Sequence, residues 1–227
     1  MSIIYENKDY IIYNKPAGKL VQSDRSFDID VVSELKTYLA KKGEGTDVSV
    51  INRLDRPVSG LVLLAKNKDF AGKVSKVLSQ GGISKEYCAV VCGKLPEKSG
   101  VLVDYLLKDG KNNMSTVVAT KVKGAKEAKL EYRVCAEKEI EYLGQTLWVS
   151  LVRIKLITGC HHQIRVQFAS RNNPLLGDTK YNSVVKETGG WRNISLCSTQ
   201  LVFLGMSYEV KPDGDGFEYF KEELGKL

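Results

Sequence analysis

Histidine is nearly absent from the 227-residue chain, which has only two. A tetrahedral zinc site takes about four ligands, and Cys160-His161-His162 is the one cluster with ligand chemistry. No metal or other cofactor is expected. Five cysteines, at 88, 92, 135, 160 and 197, form an odd set without paired CxxC spacing, which excludes a disulfide framework and leaves reduced thiols. Cys88 and Cys92 fall on one face of an extended segment and are expected to pack there. No apolar run approaches the roughly 20 residues that span a bilayer, and Met1 to Tyr5 lacks the basic and apolar regions of a secretory leader. A cytoplasmic protein without membrane contact is expected. Internal repeats, low-complexity tracts and disordered linkers are also missing.

What is present is an ordinary globular composition, 43% hydrophobic and 27% charged, with a net charge of +7. Length allows one large domain or two lobes sharing a cleft. The positive balance fits a polyanionic partner. Much of it gathers at Arg53, Arg56, Lys66, Lys68, Lys73, Lys76 and Lys85.

The chain is organised around Ile51-Asn52-Arg53-Leu54-Asp55-Arg56-Pro57-Val58-Ser59-Gly60, followed by the apolar run Leu61 to Ala65. That run reads as a buried strand and Val48 to Ile51 as another, so the charged segment is a loop between anchored elements. Pro57 pushes Arg56 toward extended geometry, and Gly60 admits conformations other residues resist. If Arg53 to Asp55 is extended, these two side chains share a side and Leu54 faces the other. Between two guanidinium groups, Asp55 is expected to stay ionised, which suits a nucleophile or electrostatic catalyst.

Elsewhere Ile3 to Tyr5 and Tyr10 to Tyr13 read as strands before a Lys15-Pro16-Ala17-Gly18 turn. Ile29, Val32, Leu35 and Leu39 recur at helical spacing with Asp28 as candidate cap. Phe70, Val74, Val77 and Leu78 give a second helix, stopped at Gly81-Gly82. Lys85 to Gly93 is a strand whose Lys85, Tyr87, Ala89 and Val91 share a face. Alternation at Val101 to Tyr105, Ser115 to Thr120, Lys129 to Cys135 and Thr146 to Thr158 (a bent strand or two) favours a largely antiparallel sheet. Ile194 to Phe203 and Met206 to Val210 close it. His161 to Arg171 reads as a helix with His161 and Arg165 on neighbouring positions, its N-terminus a candidate anion site. Arg165, if partly buried, needs a carboxylate. A short helix over Phe217 to Leu224 ends the chain.

Four of these segments, in order, resemble the RluA-type pseudouridine synthases: Asp9 to Gly18, Asn52 to Lys66, Lys85 to Gly93, and Thr158 to Val166 with Pro174 to Asp178 and Tyr181. The resemblance implies the pseudouridine synthase fold, an α+β architecture whose largely antiparallel mixed sheet forms two lobes flanked by helices with a central cleft. It implies a single catalytic domain over 1–227 without the S4-like RNA-binding domain of many relatives, working as a monomer without a protein partner. The implied partner is RNA, ribosomal or transfer, in which specific uridines become pseudouridine without metal or redox carrier.

In that reaction the bond from ribose to uracil nitrogen breaks and the base rejoins through carbon 5. By resemblance Asp55 is the essential carboxylate, acting as nucleophile at the anomeric carbon or as the base that opens a glycal route. Arg165 pairs with Asp55. Tyr87 stacks on uracil and assists the final deprotonation, and Ile164 forms an apolar wall. Arg53 stabilises the RNA from which the base has been extracted, while Arg56, His162 and Gln163 contact substrate. Asn52 stands where the family has histidine, and Cys160 where arginine is common, so altered substrate choice or a weaker phosphate grip is expected with the chemistry retained. Two rivals are a non-catalytic RNA-binding protein of the same fold, and a cysteine hydrolase using Cys160 with His161 or His162.

Overall fold

The computed structural model describes residues 2–23, 29–79, 81–119, 122–187 and 192–226. In chain order the elements are β1 (Ile3–Glu6), β2 (Tyr10–Lys15), α1 (Val31–Lys41), β3 (Ser49–Val50), β4 (Ser59–Ala65), α2 (Lys68–Ser79), β5 (Ile83–Cys92), β6 (Ser99–Asp109), β7 (Met114–Val118), β8 (Lys126–Tyr142), β9 (Gln145–Leu156), α3 (Gln163–Ala169), α4 (Ser183–Glu187), β10 (Leu196–Phe203), β11 (Met206–Glu209) and α5 (Lys221–Leu224), the last preceded by a 3-10 turn over Phe217–Phe220. The class is α+β. Two compact units emerge, one formed by Met1–Ser84 with Ser198–Val210, the other by Lys85–Cys197 with Lys211–Leu227.

In the first unit β4 is the centre. All seven of its residues are buried, which is why it reads as a continuous apolar run. It pairs antiparallel with β2, from Tyr10 opposite Ala65 to Lys15 opposite Gly60, and with the short β3. The strand expected over Val48 to Ile51 shrinks to two residues because the chain turns away into the charged loop. Tyr10, Ile12, Leu61, Leu63, Val74, Leu201, Phe203 and Tyr208 form the core here, with Phe70 and Val77 of α2 packed on it. Helix α1 starts later than its periodicity suggested. Asp30 is the cap, accepting a 2.7 Å bond from the Ser33 N–H, and Ile29 is 73% exposed. Asp28 and the Leu78 side chain lie outside the described residues.

The second unit is built on an antiparallel sheet in the order β5-β9-β8-β6-β7. Strand β8 is far longer than its alternation predicted, and a register shift between Val134 and Ala136 bends it, as an extra residue in one strand does. Strand β9 runs unbroken through the segment read as one bent strand or two. On β6 the alternation was legible and its buried face is now visible: Leu102 and Leu106 are covered, while Val101 and Val103 are more than half exposed. Helix α4 carries no signal strong enough to have been read. Helix α3 buries six consecutive residues, Gln163 to Phe168, and Val166 packs with Leu106 and Ala128.

Candidate active site

The loop carrying Asp55 is tied down at its main-chain groups. The Val58 N–H donates to the Asp55 carbonyl at 3.1 Å, closing a turn. Gly18 and Arg56 bond reciprocally: the Gly18 N–H reaches the Arg56 carbonyl at 2.8 Å, and Arg56 Nε reaches the Gly18 carbonyl at 3.0 Å. Lys15, fully buried, sends its ammonium to the carbonyls of Pro16, Lys19 and Arg56 at 2.9, 2.9 and 3.2 Å. The first sequence segment is therefore a clamp on the second, a role the motif alone did not disclose.

Asn52 completes the clamp. It is buried, its amide oxygen accepts from the Leu63 N–H at 2.6 Å, and its amide nitrogen donates to the Leu61 carbonyl at 3.3 Å. Both of these hydrogen bonds go to β4, so the residue that stands where the family has histidine has a scaffold role. Gly60 sits at φ +108°, and a Cβ there would lie 2.2 Å from the Ser198 carbonyl oxygen. Only glycine fits such a close backbone approach. The loop presents Arg53 exposed, Leu54 buried and Asp55 half-buried, the alternation an extended segment dictates.

In the second unit, Arg165 is 4% exposed. Burial makes a counter-charge obligatory, and the structure supplies Asp178. Its two oxygens take Arg165 Nε and Nη2, each at 2.8 Å, a bidentate fork that fixes the guanidinium plane. Asp178 is wholly buried and also accepts from the N–H groups of Lys180 and Tyr181 at 2.9 and 3.2 Å. Sequence reasoning required a carboxylate for Arg165 but gave Asp178, within the third segment, no role.

Around this pair a polar network is built on Tyr181. Its hydroxyl accepts from the Ser115 N–H at 2.8 Å and bonds His162 Nδ1 at 2.9 Å, and the Arg165 guanidinium lies 5.3 Å from its ring centre. His162 is buried with φ +53°, and its ring stacks on His161 at 3.8 Å. A left-handed non-glycine residue costs on the order of 1 kcal/mol and gathers at functional sites. His161 bonds Ser115 Oγ at 2.9 Å through Nδ1 and Asn113 Oδ1 at 3.0 Å through Nε2. Neither histidine is helical, correcting the reading of a helix from His161.

Gln163 uses its side chain inside the protein: Oε1 accepts from the Cys160 N–H and the Thr158 hydroxyl, and Nε2 donates to the Lys129 carbonyl. Ile164 is buried, as is Tyr87, which lies opposite Ile154 in the β5–β9 ladder. The Cys160 thiol donates to the Glu127 carbonyl, and burial pushes it up from its ordinary range. A half-buried thiol shifted away from its thiolate form is a poor nucleophile, which counts against the hydrolase reading. Lys66 does not join the basic face inferred from sequence either, since its ammonium is buried against Glu6 and Glu44. Ser115, Asn113 and Asp178 are the residues sequence reasoning missed as members of this cluster. Ser115 and Asn113 belong to the β6–β7 turn and strand, far from any recognisable segment.

Residues 9–170 match the family described as RNA pseudouridylate synthase. The tRNA pseudouridine synthase C of Vibrio parahaemolyticus is 30% identical over 212 residues, covering 90% of this chain and 85% of that protein. Its namesake from Haemophilus ducreyi is 33% identical over 187 residues, 81% of this chain and 75% of that one. Among solved structures, human RNA pseudouridylate synthase domain containing 4 superposes with a TM-score of 0.75 at 21% identity, covering 100% of this chain and 92% of the other. That likeness bears out the expected fold.

Proposed function

Because this chain belongs to the RNA pseudouridylate synthase family and isomerises uridine in RNA to pseudouridine, we propose that its substrate is a transfer RNA, with Asp55 as the essential carboxylate. The observation that carries the substrate choice is the match to proteins named tRNA pseudouridine synthase C along 85% of the Vibrio parahaemolyticus chain. Of the two RNAs that the sequence left open, this favours transfer over ribosomal RNA.

In the proposed mechanism the Asp55 carboxylate acts at the ribose of an unstacked uridine, as nucleophile at the anomeric carbon or as the base of a glycal route. The bond to uracil nitrogen breaks, the base turns, carbon 5 bonds to the same anomeric carbon as any bond from Asp55 to that carbon breaks, the carbon 5 proton leaves, and the freed uracil nitrogen takes up a proton. Nothing is gained or lost overall. Arg165 is the positioning residue that the family resemblance assigns to the reaction, and its fork to Asp178 keeps the guanidinium plane fixed. Tyr87 stacks on the uracil and assists the last deprotonation, and Ile164 forms the apolar wall. Arg53 and Arg56 engage the opened RNA, whose recognition rests on shape and loop bases. His162 and Gln163 shape the wall of the pocket through the hydrogen bonds described above. The chain acts as a single catalytic domain, as a monomer and in the cytoplasm. No described helix is long and apolar enough to cross a membrane.

The test is direct. Unmodified transfer RNA and ribosomal RNA pools are incubated separately with the protein, and pseudouridine is mapped by carbodiimide adducts that stop reverse transcription. New stops in one or a few transfer RNAs, and none in ribosomal RNA, are expected. Stops confined to ribosomal RNA would reverse the substrate assignment.

A further inference from the structure

Lys85 is a cation that the mechanism above does not use. It lies on β5 opposite Leu156, two residues before Tyr87 and therefore on the same strand face. Its side chain runs toward the Thr158 to Cys160 loop. A Cβ built on Gly159 would stand 3.6 Å from Lys85 Nζ and would meet no other described atom within 4 Å. The ammonium thus borders open space beside a residue that has no side chain to fill it.

Among the described residues this ammonium has no hydrogen bond or ion pair. Other withdrawn lysines of the molecule are engaged: Lys15 by three carbonyls, Lys66 by Glu6 and Glu44, and Lys138 by Glu223 and the Tyr219 carbonyl. Burial lowers the Lys85 ammonium from its ordinary range, and no carboxylate offsets that effect. A desolvated charge without a counter-charge is costly. It persists where something outside the chain supplies the missing sign. A polyanionic strand whose uracil stacks on Tyr87 would run a phosphate along the same face of β5, since two residues of strand span about 7 Å.

We infer that Lys85, at the edge of the Gly159 opening, is a phosphate-binding residue that grips the backbone of the bound RNA strand beside the target uridine. The inference rests on the reading of Tyr87 as the uracil platform, and it gives the second unit a contact that replaces the arginine expected where Cys160 stands. A neutral amine acting as the base at carbon 5 is the competing chemistry, and the two separate by their salt dependence.

The experiment is equilibrium binding of a fluorescent transfer RNA transcript pool by the unaltered protein, Lys85→Met and Lys85→Arg across a series of salt concentrations, with thermal melts and turnover on the same pool. Each phosphate neutralised contributes about 0.7 to 0.9 to the slope of log K against log salt. Lys85→Met is expected to lose that amount from its slope, to bind roughly tenfold more weakly at low salt, and to melt no lower than the unaltered protein. Lys85→Arg is expected to keep the slope. An unchanged slope in Lys85→Met overturns the inference, whether or not turnover falls, and so does a lower melting temperature, which would reveal an internal partner. Because any RNA carries phosphates, the slope bears on Lys85 alone. Failure of the unaltered protein to turn over the pool would instead strike the transfer RNA assignment.

Discussion

The two units hold their key charges by opposite means. In the first, Asp55 rides on a loop tied down at main-chain groups and at β4: the Gly18–Arg56 pair, the Lys15 ammonium on three carbonyls, and Asn52 on β4. In the second, Arg165 is buried and held by the side chain of Asp178, itself buried. The Asp55 carboxylate makes none of these bonds, so altering it leaves them in place. A buried guanidinium cannot lose its partner so cheaply, because the remaining charge stays desolvated. Chemistry and stability should therefore separate cleanly between the two sites.

The largest stability effect is expected at Asp178. Replacing it with Asn breaks a buried bidentate pair and should cost about 3–5 kcal/mol, read as a drop in the urea midpoint with an unchanged slope. A loss below about 1 kcal/mol would mean that Arg165 does not depend on this fork. Next comes Asn52→Ala, which leaves the Leu63 N–H and Leu61 carbonyl of a buried strand without these partners and should cost about 1–3 kcal/mol. Asn52→Ala is also expected to lower turnover by loosening the Asp55 loop while leaving the salt dependence of RNA binding unmoved.

The smallest effect concerns pH. Burial alone would raise the Glu6 carboxyl, but bonds from Lys66, Lys42 and Tyr38 overcome this and hold it at about 2 against an ordinary 4.5. A carboxyl depressed in the folded state contributes stability that is fully present above its unfolded pKa and is lost as pH falls through the folded one. Acid titration should thus remove about 1–3 kcal/mol between about pH 4.5 and pH 2. Glu6→Gln should flatten the curve in that window, and a parallel curve would show that the Lys66 and Lys42 contacts contribute nothing.

The same contrast explains what the sequence disclosed. The first unit's site was legible because its pieces are contiguous: a charged loop, a proline, a glycine and a buried strand stand within 16 residues, Ile51 to Lys66. The left-handed φ of Gly60, the burial of Leu54 and the exposure of Arg53 follow from local chain geometry alone. The clamp by Lys15 was hidden because a lysine reaching a carbonyl 41 residues away leaves no periodicity. In the second unit Arg165 advertised its need for a carboxylate, but Asp178 sits 13 residues on, past a helix end, and only folding selects it. His161 and His162 were read as helical from spacing, whereas the left-handed backbone at His162 stops α3 from extending back to them. Likewise α1 was placed too early because Ile29 fits the apolar period, though Asp30 caps the start of the helix.

The central claim is that one half-buried carboxylate, Asp55, drives the isomerisation. Tritium release from transfer RNA transcribed with uridine labelled at carbon 5 tests it most directly, comparing the unaltered protein with Asp55→Asn under single-turnover conditions. Release by the unaltered protein and a rate about 10³-fold lower or less in the variant, with matching melting temperature and RNA affinity, is the predicted result. Release by Asp55→Asn within about tenfold of the unaltered protein would contradict the account and move the essential carboxylate elsewhere.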